Sequence, residues 1–445
     1  MKLLEIKELL TERKYQEFRR EVAELNEADI ASILEDLDLE TQIIAFRLLP
    51  KDIAADVFAY LPKDVEQEII TTLTDNEATD IINNMMSDDA ADLMEEMPAS
   101  VVKKLLSHVS ADARRDINHL LKFPEDSAGS IMTVEFVDLK ENLTVHEAIE
   151  RIRLTGIDKE TINTCYVLDN RRRLIGIVTL RALILADRDA LIGDIMEDHV
   201  ISVDTMMDQE DVARLISKYD FNSIPVVDSE ERLVGIVTVD DIVDIIEEEA
   251  TEDIQKMAAI VPSDVPYTKM TVMDLWKKRV GWLLLLMVSA TFTGRIITSY
   301  EDALGAYIIL AAYIPQLMDT GGNTGSQSST MIIRALSLKE IEFKDIFKVV
   351  TKEFGAALFC GVTLAVANFV KLLIVDRVEP LVALVICLTM VVVVIAANLV
   401  GCILPMTARK FNFDPAVMAS PMLTTIIDTL ALVIYFMLAT YILHI

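Results

Sequence analysis

Cysteine is scarce in this 445-residue chain, and the four present, at positions 165, 360, 387 and 402, form no Cys-x-x-Cys pair and no metal-ligand spacing. They read as small core or lipid-facing residues in a reduced, cytosolic setting. Histidine is equally sparse, with five residues at 108, 119, 146, 199 and 444. His146-Glu147 has no second histidine at position 150, so the paired-histidine site of an intramembrane metalloprotease is missing, and zinc or copper lacks ligands. Basic residues are deficient in the first 270 positions, where 59 Asp and Glu face 28 Lys and Arg for a net charge of −31; residues 271–445 hold 12 acids and 13 bases. A field of that sign repels nucleic acid and anionic lipid and gathers cations, which argues against a nucleic-acid partner. Met1 to Arg20 alternates charges with Leu and Ile and has no long apolar stretch, so no cleavable signal is expected and the acidic part should stay in the cytosol.

Apolar sequence is concentrated after residue 270. Five segments, about 280–299, 304–336, 354–375, 381–408 and 417–443, each reach the roughly 20 residues that cross a bilayer. The second, if helical throughout, would be on the order of 50 Å long against a ~30 Å hydrocarbon core, so it is expected to tilt, break at Pro315 or project from the membrane. Lys277, Lys278 and Arg279 precede the first span; Arg334, Lys339, Lys344, Lys348 and Lys352 lie between the second and third; Arg409 and Lys410 lie between the fourth and fifth. The alternate loops, around Glu301-Asp302 and Asp376 to Glu379, are acidic or mixed. The excess of Lys and Arg marks the cytosolic side, which places the N-terminus inside and the C-terminus outside.

Within the second segment runs Pro315-Gln-Leu-Met-Asp-Thr-Gly-Gly-Asn-Thr-Gly-Ser-Gln327. Small residues, amides and a carboxylate are costly against hydrocarbon and useful where water or an ion passes. The run predicts a broken, glycine-rich helix whose freed carbonyls and amides line a cavity. Asp428 lies 11 residues after Val417 and 15 before Leu443, near the middle of the fifth span. An ionised carboxylate there costs about 2.5 to 3.5 kcal/mol on insertion scales, so a cation, a proton or an interhelical hydrogen bond must compensate it. Asn368 and Asn398 fit bonds between helices as well as a pore lining. Asp414 stands 14 residues before Asp428, roughly 21 Å along a helix axis, and would mark the mouth of a path constricted at Asp428. A pore for anions would favour backbone amides and basic residues instead.

The acidic part contains a repeat. Leu174-Ile-Gly-Ile-Val-Thr-Leu-Arg matches Leu233-Val-Gly-Ile-Val-Thr-Val-Asp at an offset of 59, Tyr166-Val-Leu-Asp-Asn precedes the first and Pro225-Val-Val-Asp-Ser the second, and Ile131-Met and Ile195-Met head the copies. Such strand-turn-strand-helix text is one supersecondary unit used twice. Before it, apolar residues recur at helical spacing, as in Ile53, Val57 and Tyr60, and Leu-Pro-Lys-Asp occurs at Leu49 and again at Leu61. Short stacked helices follow, either a small solenoid or an irregular bundle. After the repeat, Asp241, Asp244, Glu248 and Glu252 share one helix face with Glu249 and Asp253 alongside. Like charges so spaced destabilise a helix by a few tenths of a kcal/mol per pair, a sign that a multivalent cation reverses, although a solvated face gives the same pattern.

The Val-Asp-x-x-x-x-Leu-x-Gly-Ile-Val-Thr phrase of the second copy resembles a cystathionine-β-synthase-type (CBS) domain, which implies a pseudo-symmetric pair with a cleft able to take an adenine nucleotide such as ATP. Order and motifs together resemble the MgtE family of magnesium channels, over essentially the whole chain and most specifically in the run from Pro315 to Gln327. The implied architecture is multi-domain: an α-helical, solenoid-like N-domain (1–126), an α+β CBS pair (127–246), a connecting helix (247–270) and a five-helix α transmembrane domain (271–445). The resemblance implies a homodimer in the cell (inner) membrane, not an enzyme, whose pore runs along the two-fold axis, lined mainly by spans two and five. It carries the pore Mg2+ site onto Asp428, with Pro315, Gly321, Gly322, Asn323, Gly325 and Gln327 lining the path. Inhibitory intracellular Mg2+ sites fall on Asp208, Asp220, Asp241, Asp244, Glu249, Glu252, Asp253 and Asp414, with Asp88 and Asp92 as N-domain partners. The alternative reading is a CBS-regulated secondary transporter of another divalent cation, coupled to protons through Asp428.

Overall fold

Short helices in the first 120 residues are set by their caps. The computed structural model describes residues 2–51, 53–263, 265, 267–301, 305, 307–418 and 420–444. Asp302, from the orientation argument, and Leu304, the expected start of the second span, lie outside them. Ten helices come first: α1 (Lys2–Thr11), α2 (Tyr15–Val22), α3 (Glu27–Glu35), α4 (Leu39–Leu48), α5 (Ala54–Ala59), α6 (Lys63–Thr72), α7 (Asp75–Asn84), α8 (Ser87–Glu95), α9 (Ala99–His108) and α10 (Ala111–Leu120). Asn26, Asp38, Thr74 and Ser110 each accept a backbone N–H at a helix start, and Thr74 with Glu77 closes a capping box. Pro62 and Pro98 sit at the caps of α6 and α9, whereas Pro50 precedes α5 by several residues. From α3 onward each helix packs on the one two further along, α3 on α5 through to α8 on α10. One apolar core, including Phe18, Phe58, Ile69 and Ile82, runs through the stack.

The repeat folds as two three-stranded sheets of identical topology. The first contains β1 (Asp138–Leu139), β2 (Thr164–Leu168) and β3 (Leu174–Thr179), with helices α11 (Val145–Thr155), α12 (Leu180–Leu185) and α13 (Ile192–Ile195). The second contains β4 (Val203–Asp204), β5 (Ser223–Val227) and β6 (Leu233–Thr238), with α14 (Gln209–Tyr219). In each, the outer short strand runs parallel to the middle one, which pairs antiparallel with the third. The head of each copy is exchanged. Thr133 bridges Ile236 in the second sheet, and Glu197 bridges Ile177 in the first. Glycine permits this close approach: a Cβ on Gly235 would lie 2.7 Å from the Thr133 carbonyl oxygen, and one on Gly176 would lie 3.1 Å from that of Glu197. Between the sheets the buried Tyr166 hydroxyl and Ser223 hydroxyl share a hydrogen bond of 2.9 Å. Ser87, at the start of α8, donates to the Glu135 carboxylate at 2.7 Å and ties the helical stack to the pair. α15 (Val239–Met257) follows β6 directly; it begins before the expected connecting segment at 247 and stops short of 270.

Contacts divide the chain into two compact units, Met1–Ile246 and Glu247–Ile445. Among its described residues the second holds the long helices α16 (Val272–Ser299), α17 (Ile309–Ser337), α18 (Ile346–Ile374), α19 (Pro380–Lys410) and α20 (Ser420–Leu443). Among the described residues, four helical stretches, 272–299, 343–374, 380–410 and 415–443, are long and apolar enough to cross a membrane. α17 has the length but carries the polar run. It does not break at Pro315: the proline lies seven residues in and the helix continues to Ser337. Its glycines serve packing instead. A Cβ on Gly321 would lie 2.8 Å from Val393 of α19 and 2.9 Å from Ile427 of α20, and one on Gly325 only 2.2 Å from Ile427. On the facing helix, a Cβ on Gly401 would come within 2.5 Å of the Gly325 carbonyl oxygen. Small residues that let backbones approach are what hold helices together where no hydrophobic effect acts between them. α19 is the hub, packed on α17, α18 and α20, whereas α16 touches mainly α20 and buries none of its residues.

Gly401→Leu should therefore force α17 and α19 apart. The expected loss is about 1 to 3 kcal/mol, seen as a lower thermal unfolding midpoint in detergent, while Gly294→Leu, with open space around its Cβ position, should leave the midpoint near wild type.

Candidate metal centres

The polar run of α17 has two faces. Pro315, Asp319, Asn323 and Gln327 recur every four residues, and all four are exposed in the protomer. Gly321, Gly322 and Gly325 are buried on the packed side, so of the six residues expected to line a path, three are contact positions and three stand on the open stripe. Asp428 is the ninth residue of α20, a third of the way along, because the helix starts at Ser420 after a 3-10 turn at Pro415–Met418. It is half-buried, and Asp319 is near enough for their charges to repel. A Cβ on Gly322 would meet the Thr424 methyl at 3.2 Å, which puts the turn preceding Asp428 against α17. The structure thus brings a carboxylate from each helix together beside a ladder of amides.

The other polar groups of the bundle mostly join helices. Gln316 donates to the buried Asn368 side chain at 2.9 Å. Ser328 donates to the Glu353 carboxylate at 2.8 Å and approaches the Asn398 carbonyl oxygen at 3.3 Å. Glu353 was not anticipated from the sequence, because it falls one residue before the apolar stretch expected to begin at 354. Its helix starts earlier, at Ile346.

In the first unit, carboxylates crowd around the start of α8 and the start of α15. Burial, followed by the charges of Asp89, Asp241 and Glu160, pushes the Asp88 carboxyl well above the usual range. Asp89 is pushed up to about 7 by burial and then by Asp241, Asp92 and Asp240. Glu160 reaches about 7 through burial and the charges of Asp241, Asp240 and Asp89. Asp241 reaches about 6; burial raises it, the hydrogen bond from the Thr238 hydroxyl opposes this, and Asp240, Asp92 and Asp244 add to the rise. Glu66, on α6, is 7 % exposed and is pushed up to about 8 by burial and by Asp89 and Asp92 against the opposing Lys63. Asp92 pairs with Lys63 at 3.7 Å. Asp88, Asp92 and Asp241 thus fall in one electrostatic neighbourhood, joined by Glu66, Asp89 and Glu160, which the sequence did not single out. Glu66 was legible only as a polar residue at a core position of an amphipathic helix. Among the described residues no three carboxylate, histidine or cysteine side chains close on a common metal position.

Asp208 and Asp220 bracket α14 and are exposed. Asp208 caps the start, accepting from the Glu210 N–H at 3.0 Å, and Asp220 ends the helix in the left-handed conformation at φ 54°. Asp244 is exposed on α15, and Glu249, Glu252 and Asp253 are half-buried further along it. Asp414 accepts from the Ala416 N–H at 2.8 Å. The Lys256 ammonium lies 2.6 Å from Glu252 and 2.8 Å from Asp414, so a lysine joins two residues expected to bind magnesium. Burial lowers the Lys256 pKa, but the two carboxylates outweigh it and hold it above the ordinary lysine value.

Two matching three-stranded units, an acid-rich helical stack and a bundle of long apolar helices with a polar stripe that carries carboxylates together fit a membrane transporter of cations. Comparison with known proteins agrees. The family described as a divalent cation transporter, MgtE, matches residues 314–438, the MgtE intracellular N domain matches 25–126, and CBS domains match 128–189 and 192–248. The chain is 39% identical over 446 residues to the magnesium transporter MgtE of Thermus thermophilus, covering 99% of this chain and 98% of that protein. It is 36% identical over 343 residues to that of Bacillus subtilis, covering 76% and 74%. A crystal structure of the cytosolic domain of the Mg2+ channel MgtE in complex with ATP superposes with a TM-score of 0.53 at 36% identity, covering 55% of this chain and 99% of that one. The chain belongs to the MgtE family of magnesium transporters.

The acid cluster has a consequence for pH. Each raised carboxyl keeps its proton in the folded state over a range where the unfolded chain has released it, so folding takes up protons and stability falls as pH rises from about 4.5 toward 8. In EDTA, Glu66→Gln should raise the unfolding midpoint at pH 8, on the order of 2 to 4 °C, and change it little at pH 5; an equal shift at both pH values would mean packing rather than charge.

Proposed function

We propose that the chain carries Mg2+ into the cell through a pore on the two-fold axis of a homodimer, and that its acidic soluble part senses internal Mg2+ and closes that pore. The observation that carries this reading is the open stripe of Asp319, Asn323 and Gln327 on α17 beside Asp428 on α20, a polar surface without purpose in a bilayer unless a second protomer and hydrated ions cover it. α17 would be the fifth span, shielded from lipid by its neighbours, and the C-terminus would lie outside with the soluble part in the cytosol. Magnesium demands near-octahedral oxygen ligands and gives up its waters reluctantly, so one or two carboxylates holding a hydrated ion suit it. Two Asp428 side chains facing across the axis would supply them, with Asn323 and Gln327 holding the water shell.

Closure follows from the soluble carboxylates. At low internal Mg2+, Asp88, Asp89, Asp241 and their neighbours repel; a rising concentration of divalent ions offsets that repulsion, compacts the assembly and draws α15 toward a closed arrangement. Moving a gate from mostly open to mostly shut takes about 5.5 kcal/mol of differential binding, within reach of several weak sites acting together. The ATP complex of a relative's cytosolic domain supports an adenine nucleotide in the cleft of the CBS pair. The segments 1–126, 127–246, 247–270 and 271–445 then act as sensor, sensor, coupling element and pore, with no catalytic step.

In proteoliposomes, Asp428→Ala should reduce Mg2+ uptake at least tenfold while inserting normally, and wild-type uptake should persist without a proton gradient; native uptake by the folded variant would overturn the pore assignment, and collapse on dissipating the gradient would favour proton coupling. Neutralising Asp241 and Asp244 together should leave uptake intact but raise the internal Mg2+ needed to suppress it, read by patch recording across a range of internal concentrations.

A further inference from the structure

Within the second unit, Lys256 fastens the end of α15 to the entry of α20. Lys256 lies four residues after Glu252 on the same helix face and reaches Glu252 at 2.6 Å and Asp414 at 2.8 Å. Asp414 is fixed in turn, since its other oxygen accepts from the Ala416 N–H. The neighbouring Met257 packs on Ile333 of α17 and on Ala416. The chain then folds back: Gln255 accepts the Ser263 N–H at 2.9 Å, and Lys278 of α16 donates to the Pro262 carbonyl at 2.9 Å. Lys256 is about a quarter exposed, so its ammonium is held in partly buried surroundings where loss of the lysine would leave two carboxylates uncompensated.

We propose that Lys256 is a built-in cation that occupies the Glu252–Asp414 pair and anchors the end of α15 at the entry to α20 without a metal, so that this pair is a fixed pivot while magnesium sensing resides in the other carboxylates. This deepens the regulatory reading above and rests on it for its purpose, though not for its geometry. Two carboxylates facing one another repel, and an ammonium between them reverses the sign. A lysine does this at any magnesium concentration. Removing its charge while keeping its length should convert the anchor into one that needs a divalent ion.

The test uses the full-length chain with Cys360→Ala, Met257→Cys and Ala416→Cys, reconstituted in liposomes, and measures the rate of disulfide formation between the two new thiols. In EDTA, adding Lys256→Met should slow cross-linking by about fivefold or more, Lys256→Arg should keep the rate near that of the lysine form, and the charge-swapped pair Lys256→Glu with Asp414→Lys should cross-link faster than Lys256→Glu alone. Millimolar Mg2+ should restore the rate of the Lys256→Met form and leave the lysine form unchanged. An unchanged rate for Lys256→Met in EDTA overturns the proposal, and so does a slow rate that Mg2+ fails to restore, which would make the lysine a packing element. Magnesium uptake is followed in the same liposomes: cross-linking as expected with no magnesium-dependent closure sinks the regulatory reading and leaves the anchor standing, whereas normal closure with unaltered cross-linking does the reverse.

Discussion

Carboxylates held near one another with limited access to water are costly, because each charge loses hydration and gains a repulsive neighbour in surroundings that screen poorly. This protein accepts that cost in two regions, at Asp319 and Asp428 in the apolar bundle and around Asp88, Asp89, Glu160 and Asp241 in the soluble unit. The remainder of the structure supplies the packing that keeps these groups together. Ten short helices with a continuous core present α8 to the CBS pair, where Ser87 and Glu135 fasten it. In the bundle, α19 at the centre fixes α17 and α20 so that their two acids meet. On the function proposed above, a hydrated divalent cation offsets the repulsion in each arrangement.

Glycine and lysine have contrasting parts in this scheme. Gly325 and Gly401 bring α17 and α19 within backbone contact, and Gly321 and Gly325 receive the Ile427 side chain of α20, so the polar stripe of α17 is backed on one side and left open on the other. The helix can therefore carry amides and a carboxylate on a single face without unravelling, which reconciles an unbroken backbone with the composition of the run from Pro315 to Gln327. Lys256 in turn places a permanent positive charge among acids at the end of α15. If the proposed magnesium sites lie in the other carboxylates, permanent and exchangeable cations have separate locations, and a moving element gains a fixed point.

Much of this was readable without coordinates. The 59-residue offset between Leu174 and Leu233 is the separation of β3 and β6, and Tyr166 and Pro225 lie on the corresponding middle strands. Asp428 stood out because a carboxylate amid apolar residues has few explanations. Family resemblance points to Asp88, Asp92 and Asp241, which occupy one electrostatic neighbourhood. The exchanged heads at Thr133 and Glu197 were not legible, since sequence order assigns each head to its own copy and only the close approach at Gly235 and Gly176 reveals the crossing. Glu66 and Glu353 escaped for a similar reason: one carboxylate in an amphipathic helix, or at the edge of a span, has no distinctive local pattern.

The sequence by itself determined the division of charge, the repeated supersecondary unit, the helix starts at capping residues and the long apolar segments, because each depends on residues near one another along the chain. Tertiary structure alone decided that α17 runs through Pro315 unbroken, that its glycines face α19 and α20 while Asp319, Asn323 and Gln327 remain open, and that Lys256 reaches Asp414 across 158 positions of sequence. Those outcomes depend on which helix faces meet. Periodicity shows that a helix has faces, but only the shapes of its neighbours decide which one is buried.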